Sequence, residues 1–190
     1  MLDRHVIANM ALGRLGANRI SSFDEGTTEA VLVSENYGQV VRECLEDHPW
    51  NFAEAAERLS KDVVRARPDF NYSYTRPTDC LAPRYLMDDS GVIYRGGYKQ
   101  SKSKICTDLD GAWLVYAYRA PENLWSPMFA AAVLHLLTSR MAMALTEVEG
   151  KAKAEFDLYM IALARARSRN SQQDTPEVFD TSGLIAWHAG

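Results

Sequence analysis

The apolar positions of this chain follow two different periods. From Arg4 to Leu15 they recur every three or four residues: Val6 and Met10 lie four apart, as do Ile7, Ala11 and Leu15, which predicts an amphipathic helix. Asp3 is placed to cap it and Gly16 to end it. A polar connector over 20–27 carries two apolar anchors, Ile20 and Phe23. The helical period returns from Thr28 to Asp47, with Ala30, Val33, Tyr37, Val40/Val41, Cys44 and His48 on one stripe. Pro49 has no N–H and biases His48 away from helical backbone, so the helix is expected to stop there. Two aromatics follow at once, and His48, Pro49, Trp50 and Phe52 read together as a structural corner packed on the core.

Between about 70 and 119 the period shortens to two. Phe70, Tyr72 and Tyr74 alternate between Pro68 and Pro77. Tyr85-Leu86-Met87 and Val92-Ile93-Tyr94 flank the turn Asp88-Asp89-Ser90-Gly91, and residues 104–106 and 113–118 flank Asp108-Leu109-Asp110-Gly111, so each turn predicts a hairpin. Residues 54–61 fit a helix by their alanines and a strand by their length. Ser126-Pro127 then opens a helix to about Leu145 that is apolar on both sides, the pattern of an element buried in the protein or against a neighbouring copy. Beyond Gly150 a last helix runs from about Lys151 to Arg169, with Ala152, Phe156, Tyr159/Met160 and Leu163 expected inward and Arg165, Arg167 and Arg169 near the negative end of its dipole. These patterns predict an α+β fold: an α-helical bundle with an inserted small antiparallel β-sheet and an extended C-terminal tail. Residues 1–66 form the N-terminal half of the bundle, 67–120 the β insertion, 121–169 the C-terminal half and 170–190 the tail. Phe179, Leu184, Ile185 and Trp187 give that tail the character of a docking peptide.

At 190 residues and 47% hydrophobic content the chain can bury a sizeable core. The longest uncharged apolar run, Met128 to Leu137, is too short to cross a bilayer, and no apolar signal core opens the chain, so neither membrane insertion nor secretion is expected. Three widely spaced cysteines, Cys44, Cys80 and Cys106, fit a reducing compartment and exclude a zinc site built on paired C-x-x-C. The net charge of −4 argues against a DNA reader that neutralises phosphates. Its distribution is uneven. Residues 65–104 hold eight Lys/Arg against four Asp, a net +4, which leaves −8 on the rest; opposite signs on two parts of one chain suit head-to-tail contact between copies or docking on a charged partner.

Candidate chemistry is sparse. Asp108-Leu109-Asp110-Gly111 resembles the start of a calcium loop, but its glycine comes too early and the later acids are missing, so a turn is expected. The four histidines are scattered, and no phosphate-binding glycine loop, H-E-x-x-H or G-x-S-x-G occurs. His135 reads as a buried or interface histidine, and Cys44 as a small hydrophobe. No catalytic residue, cofactor or metal is assigned. The competing reading is a small α+β enzyme or small-molecule binder whose site forms from Tyr72, Tyr74, His48 and Arg84.

The order of motifs resembles a known family. Ala-Leu-Gly-Arg-Leu-Gly-Ala (11–17) precedes Ile-Ser-Ser-Phe-Asp-Glu-Gly-Thr-Thr-Glu-Ala (20–30), and a long helix leads to His-Pro-Trp-Asn-Phe-Ala (48–53). Tyr-Ser-Tyr-Thr-Arg-Pro-Thr-Asp-Cys-Leu (72–81) follows, then Trp-Ser-Pro-Met-Phe (125–129) at the start of the apolar helix. Over about residues 1–165 this is similar to the head-to-tail connector adaptors of tailed phages, including the tail tubular A family. The resemblance implies a non-enzymatic virion protein of the neck between capsid and tail, assembled in the host cytoplasm. It implies a ring of twelve copies bound below the portal protein, with a downstream tail or nozzle protein as the next partner. Genomic DNA would pass through the lumen without sequence-specific binding. An acidic or neutral wall suits that passage, because a basic one would hold phosphates by counterion release. Removing residues 171–190 is expected to abolish stable docking and leave the fold intact, which cosedimentation with the portal ring and a thermal melt of the same protein would check.

Overall fold

The computed structural model describes residues 2–173 apart from Glu147. Phe179, Leu184, Ile185 and Trp187 lie outside the described residues. Four helices, α1 (Arg4–Leu15), α2 (Thr28–Glu46), α3 (Pro127–Thr146) and α4 (Glu149–Ser171), enclose one apolar core. Six strands sit between α2 and α3: β1 (Glu54–Arg58), β2 (Tyr72–Thr75), β3 (Cys80–Met87), β4 (Lys99–Ser101), β5 (Lys104–Thr107) and β6 (Trp113–Tyr118). The class is α+β, as the two periods imply.

Local chemistry sets the helix ends. The Asp3 carboxylate accepts the Val6 N–H at 2.9 Å, and Gly16 closes α1 in the left-handed conformation at φ 74°, where a side chain would be strained. Thr27 caps α2, which ends at Glu46, before Pro49. The Ser126 hydroxyl accepts the Phe129 N–H at the start of α3. Helix α3 is the hub, packed by α1, α2 and α4, and Phe129, Val133, Leu137 and Met141 are fully buried along it. By length and apolarity α3 could also cross a bilayer, a property absent from the run of Met128 to Leu137 alone; a helix covered on three sides needs the same composition.

The β region departs from the single inserted sheet expected. It holds two three-stranded antiparallel sheets, ordered β1-β6-β3 and β2-β5-β4. Residues 54–58 are strand and pair with β6 from Glu54↔Ala117 to Arg58↔Trp113, so the β region begins at Glu54 rather than at 67. The expected hairpin of residues 104–106 with 113–118 does not form. Both edges of β6 are taken by β1 and β3, and both edges of β5 by β2 and β4. The intervening loop crosses between sheets: the Tyr74 hydroxyl donates to the Leu109 carbonyl and accepts the Gly111 N–H, while Gly111 turns at φ 71° with the Asp89 carboxylate close beside it. The true hairpin joins β4 and β5 through Lys102, which adopts φ 55°. Residues 92–94 contribute only the Met87↔Ile93 bridge, leaving Val92 and Ile93 exposed. Pro83 is accommodated where the β3–β6 register shifts. A small second core, with Tyr74, Leu86, Ile105 and Leu114 at its centre, lies among these strands.

Three helix expectations are also revised. Val6 and Met10 of α1 are exposed, because α1 turns Ile7, Ala8, Ala11, Leu12 and Leu15 onto the core instead. Gly150 lies inside α4, not between the helices, and α4 continues through Asn170 and Ser171, which were assigned to the tail. Phe156 and Met160, expected inward, are 45% and 50% exposed; the buried arc of α4 is Glu155, Tyr159, Ala162, Leu163 and Ala166.

The corner after α2 joins the two regions. His48 meets Trp50 edge to face at 4.8 Å, off the end of the helix on whose stripe the spacing places it. Trp50 meets Phe129 at 4.9 Å, Phe52 meets it at 5.0 Å and Trp125 at 5.0 Å. The Trp50 indole donates to the Cys44 carbonyl at 2.7 Å, so its one polar atom is satisfied although the residue is 1% exposed. Asn170 of α4 completes the corner: its amide donates to the Pro49 carbonyl at 2.9 Å, and its oxygen accepts the Asn51 N–H at 3.0 Å. Trp50→Ala is expected to cost about 3–5 kcal/mol by chemical denaturation, the range for emptying a buried aromatic site.

Candidate assembly surfaces

The inward arc of α4 holds one charge. Glu155 is 6% exposed, and its Oε1 accepts from Arg14 of α1 at 3.0 Å (Nε) and 2.7 Å (Nη2). Its Oε2 meets Nδ1 of His135 of α3 at 2.8 Å. Burial pushes this carboxyl up, but the Arg14 and His135 hydrogen bonds outweigh it and hold the group below the usual glutamate range. The carboxylate therefore stays ionised and ties three helices together. Ser139, one turn along from His135, donates its hydroxyl to the Ala152 carbonyl rather than to the imidazole. This arrangement fixes helices; it does not activate a nucleophile.

The residues of the small-molecule reading are divided between two places. Arg84 on β3 donates to the His48 carbonyl at 3.0 Å at the helix–sheet corner. Tyr72 and Tyr74 lie on β2 of the other sheet, Tyr72 beneath the Lys61 ammonium at 4.0 Å. Tyr74 borders a polar cleft of about 520 Å³ with Arg58, Lys61 and Asp110, and neither His48 nor Arg84 lines it. Among the described residues no group of three or more His, Cys, Asp or Glu is placed to hold a metal. Cys44, Cys80 and Cys106 are unbridged and buried. Burial, reinforced by Glu43 and Asp47, pushes the Cys44 thiol up to about 12, so it packs as a small hydrophobe.

Apolar surface is the more informative feature. Between α1 and the start of α3 lies a groove of about 380 Å³ lined by Leu2, Ile7, Met10, Trp125, Ala130 and Leu134, among others. On α4, Phe156, Leu158, Met160 and Ile161 are 39–51% exposed. Two loops of the β region also expose apolar residues, Val63 and Val64 beside Arg65 in one, and Val92 and Ile93 near Arg95 in the other. Single exposed apolar residues are ordinary. Phe156 and Met160, however, four residues apart on one side of α4, form a ridge, and Leu158 and Ile161 carry the exposed apolar surface round the rest of the helix, a surface fit for a partner.

Hydrophobic period alone missed the α4 face, because it counted Phe156 and Met160 as core. The spacing 152, 155, 159, 162, 166 alternates three and four residues and identifies the buried arc, with Glu155 in it. No family model matches the chain, and no curated protein matches it.

Glu155→Gln keeps the shape and removes the charge. It is expected to cost about 1–3 kcal/mol, the range for a charged hydrogen bond in a buried setting. A carboxyl held low in the folded state contributes fully above the unfolded glutamate range and loses that contribution as pH falls through its folded value. Urea titrations of both proteins at several pH values should show their difference shrinking below about pH 4.

Proposed function

We propose that this protein is the adaptor of a phage head-to-tail connector, a ring of copies that binds the portal, extends the DNA channel and offers the platform for the tail. One observation carries the reading. The two aromatic–proline motifs that bear the resemblance, His48-Pro49-Trp50-Asn51-Phe52-Ala53 and Trp125-Ser126-Pro127-Met128-Phe129, are the two crossings between the helices and the strands, and both close on Phe129. They are thus the positions that a bundle with a β insertion most needs to keep.

Supporting it are the exposed apolar faces, which suit self-assembly, and the charge distribution. The β region exposes Arg65, Arg95 and Lys102. In this reading the helical region packs copy against copy and meets the portal, and the basic segment 65–104 of the β region faces the tail. The chain's overall acidity leaves a lumen that does not grip phosphates. The activity is mechanical: it positions and joins, with no bond made or broken by the protein.

Electron microscopy of the purified protein mixed with the portal ring of the same virus tests the proposal. A second layer stacked coaxially on the portal, with matching or compatible symmetry, is the expected result. Bare portal rings beside a monomeric protein, under conditions in which other neck proteins bind, would overturn it.

A further inference from the structure

We infer that neighbouring copies join head to tail, with the Phe156–Met160 ridge of α4 in one copy seated in the groove between α1 and α3 of the next. The inference rests on the ring reading above and names the surfaces that would close the ring.

The two surfaces belong to different flanks of the same helical hairpin. Glu155 faces Arg14, so the C-terminal end of α1 meets one flank of α4. Arg167 pairs with Asp47 at the end of α2, and burial together with Cys44, Asp47 and Glu43 pushes the Tyr159 hydroxyl up, so the C-terminal end of α2 meets the other. Phe156, Met160, Leu163 and Arg167 are spaced i, i+4, i+7, i+11, one stripe on that α2 side, and the Phe156 ring contacts Tyr159 at 5.6 Å. The groove, with Ile7 and Met10 from α1 and Ala130 and Leu134 from α3, opens on the α1 side. A copy can therefore present its ridge to one neighbour and receive a ridge from another. A patch that meets a different patch makes a heterologous contact, the kind that closes into rings; a patch that meets itself stops at a dimer.

Shape and charge agree with this pairing. The groove is concave and almost wholly apolar, and its volume of about 380 Å³ has room for two large side chains. The ridge is convex and ends in one aromatic and one thioether, a side chain that adapts to irregular apolar walls. A polar cleft holding Asp3 and Arg19 shares Met10 with the groove. Lys153 and Asp157 are exposed on α4 beside the ridge. Docking brings a pair of opposite charges against another such pair, which favours one register over its reverse.

The buried positions of the three native cysteines let one introduced thiol be labelled selectively. Met10 is 49% exposed, so Met10→Cys should fold normally and accept a benzophenone maleimide. The labelled protein is assembled on the portal ring, irradiated, and its adducts mapped by peptide mass spectrometry. The expected result is cross-links to residues 153–164 of a second copy, seen as a ladder of covalent oligomers, and loss of that ladder when Phe156→Asp is added. Adducts in residues 174–190 would give the groove to the chain's own C-terminal segment, and adducts in the portal would give it to that partner; either overturns the inference. A ring visible by microscopy without α4 adducts overturns the inference and leaves the adaptor reading standing. Bare portals without oligomers overturn both.

Discussion

The fold depends on one aromatic contact set. Phe129, one turn into α3, receives Trp50, Phe52 and Trp125, and those three residues sit where the chain leaves the helices and where it returns to them. Each aromatic buries a large apolar area, and the two indoles each spend their N–H on a carbonyl, Cys44 for Trp50 and Ala120 for Trp125. The roughly seventy residues between the crossings can then be arranged as two sheets without disturbing the bundle, because both ends of the insertion are held at one point. Asn170 adds a polar lock from α4 on the same corner.

The second constraint is that α4 packs chiefly on α3. Its buried arc uses alanines at 152, 162 and 166, which let the helices approach closely, and one shared carboxylate, which fixes their register against α1. An unpaired buried charge would be costly, so Arg14 and His135 make Glu155 tolerable only in this alignment. The outer side of α4 is left to solvent with Phe156, Leu158, Met160 and Ile161 on it. A helix of this kind is stable in one copy and still offers surface to another. The adaptor reading draws on that property, together with a segment, residues 65–104, whose net charge of +4 has the opposite sign to the balance of the chain.

The four helices, the caps of α1 and α3 and the corner at His48-Pro49-Trp50 were legible from residue spacing, because helix periodicity and the backbone limits of proline and glycine act over a few neighbours. Of the β region, strands β2, β3, β5 and β6 were legible, but β4 and the sheets were not. Asp108-Leu109-Asp110-Gly111 has the composition of a hairpin turn, yet it links two sheets, since strand partners are chosen by edges supplied from far along the chain, by β1 above all.

The assembly surfaces divide in the same way. That α3 would be the buried hub of the bundle follows from its composition. Which flank of α4 faces inward does not, because Phe156 and Met160 are as apolar as the residues that are buried. The decision lies with Glu155, a charge that enters the core only where Arg14 from α1 and His135 from α3 converge on it. Sequence alone thus determined the four helices, the caps at Asp3, Gly16 and Ser126 and the aromatic corner, where the physics is local. Tertiary structure decided sheet pairing and the outward face of α4, where the deciding partners stand more than a hundred residues apart in the case of Arg14 and Glu155.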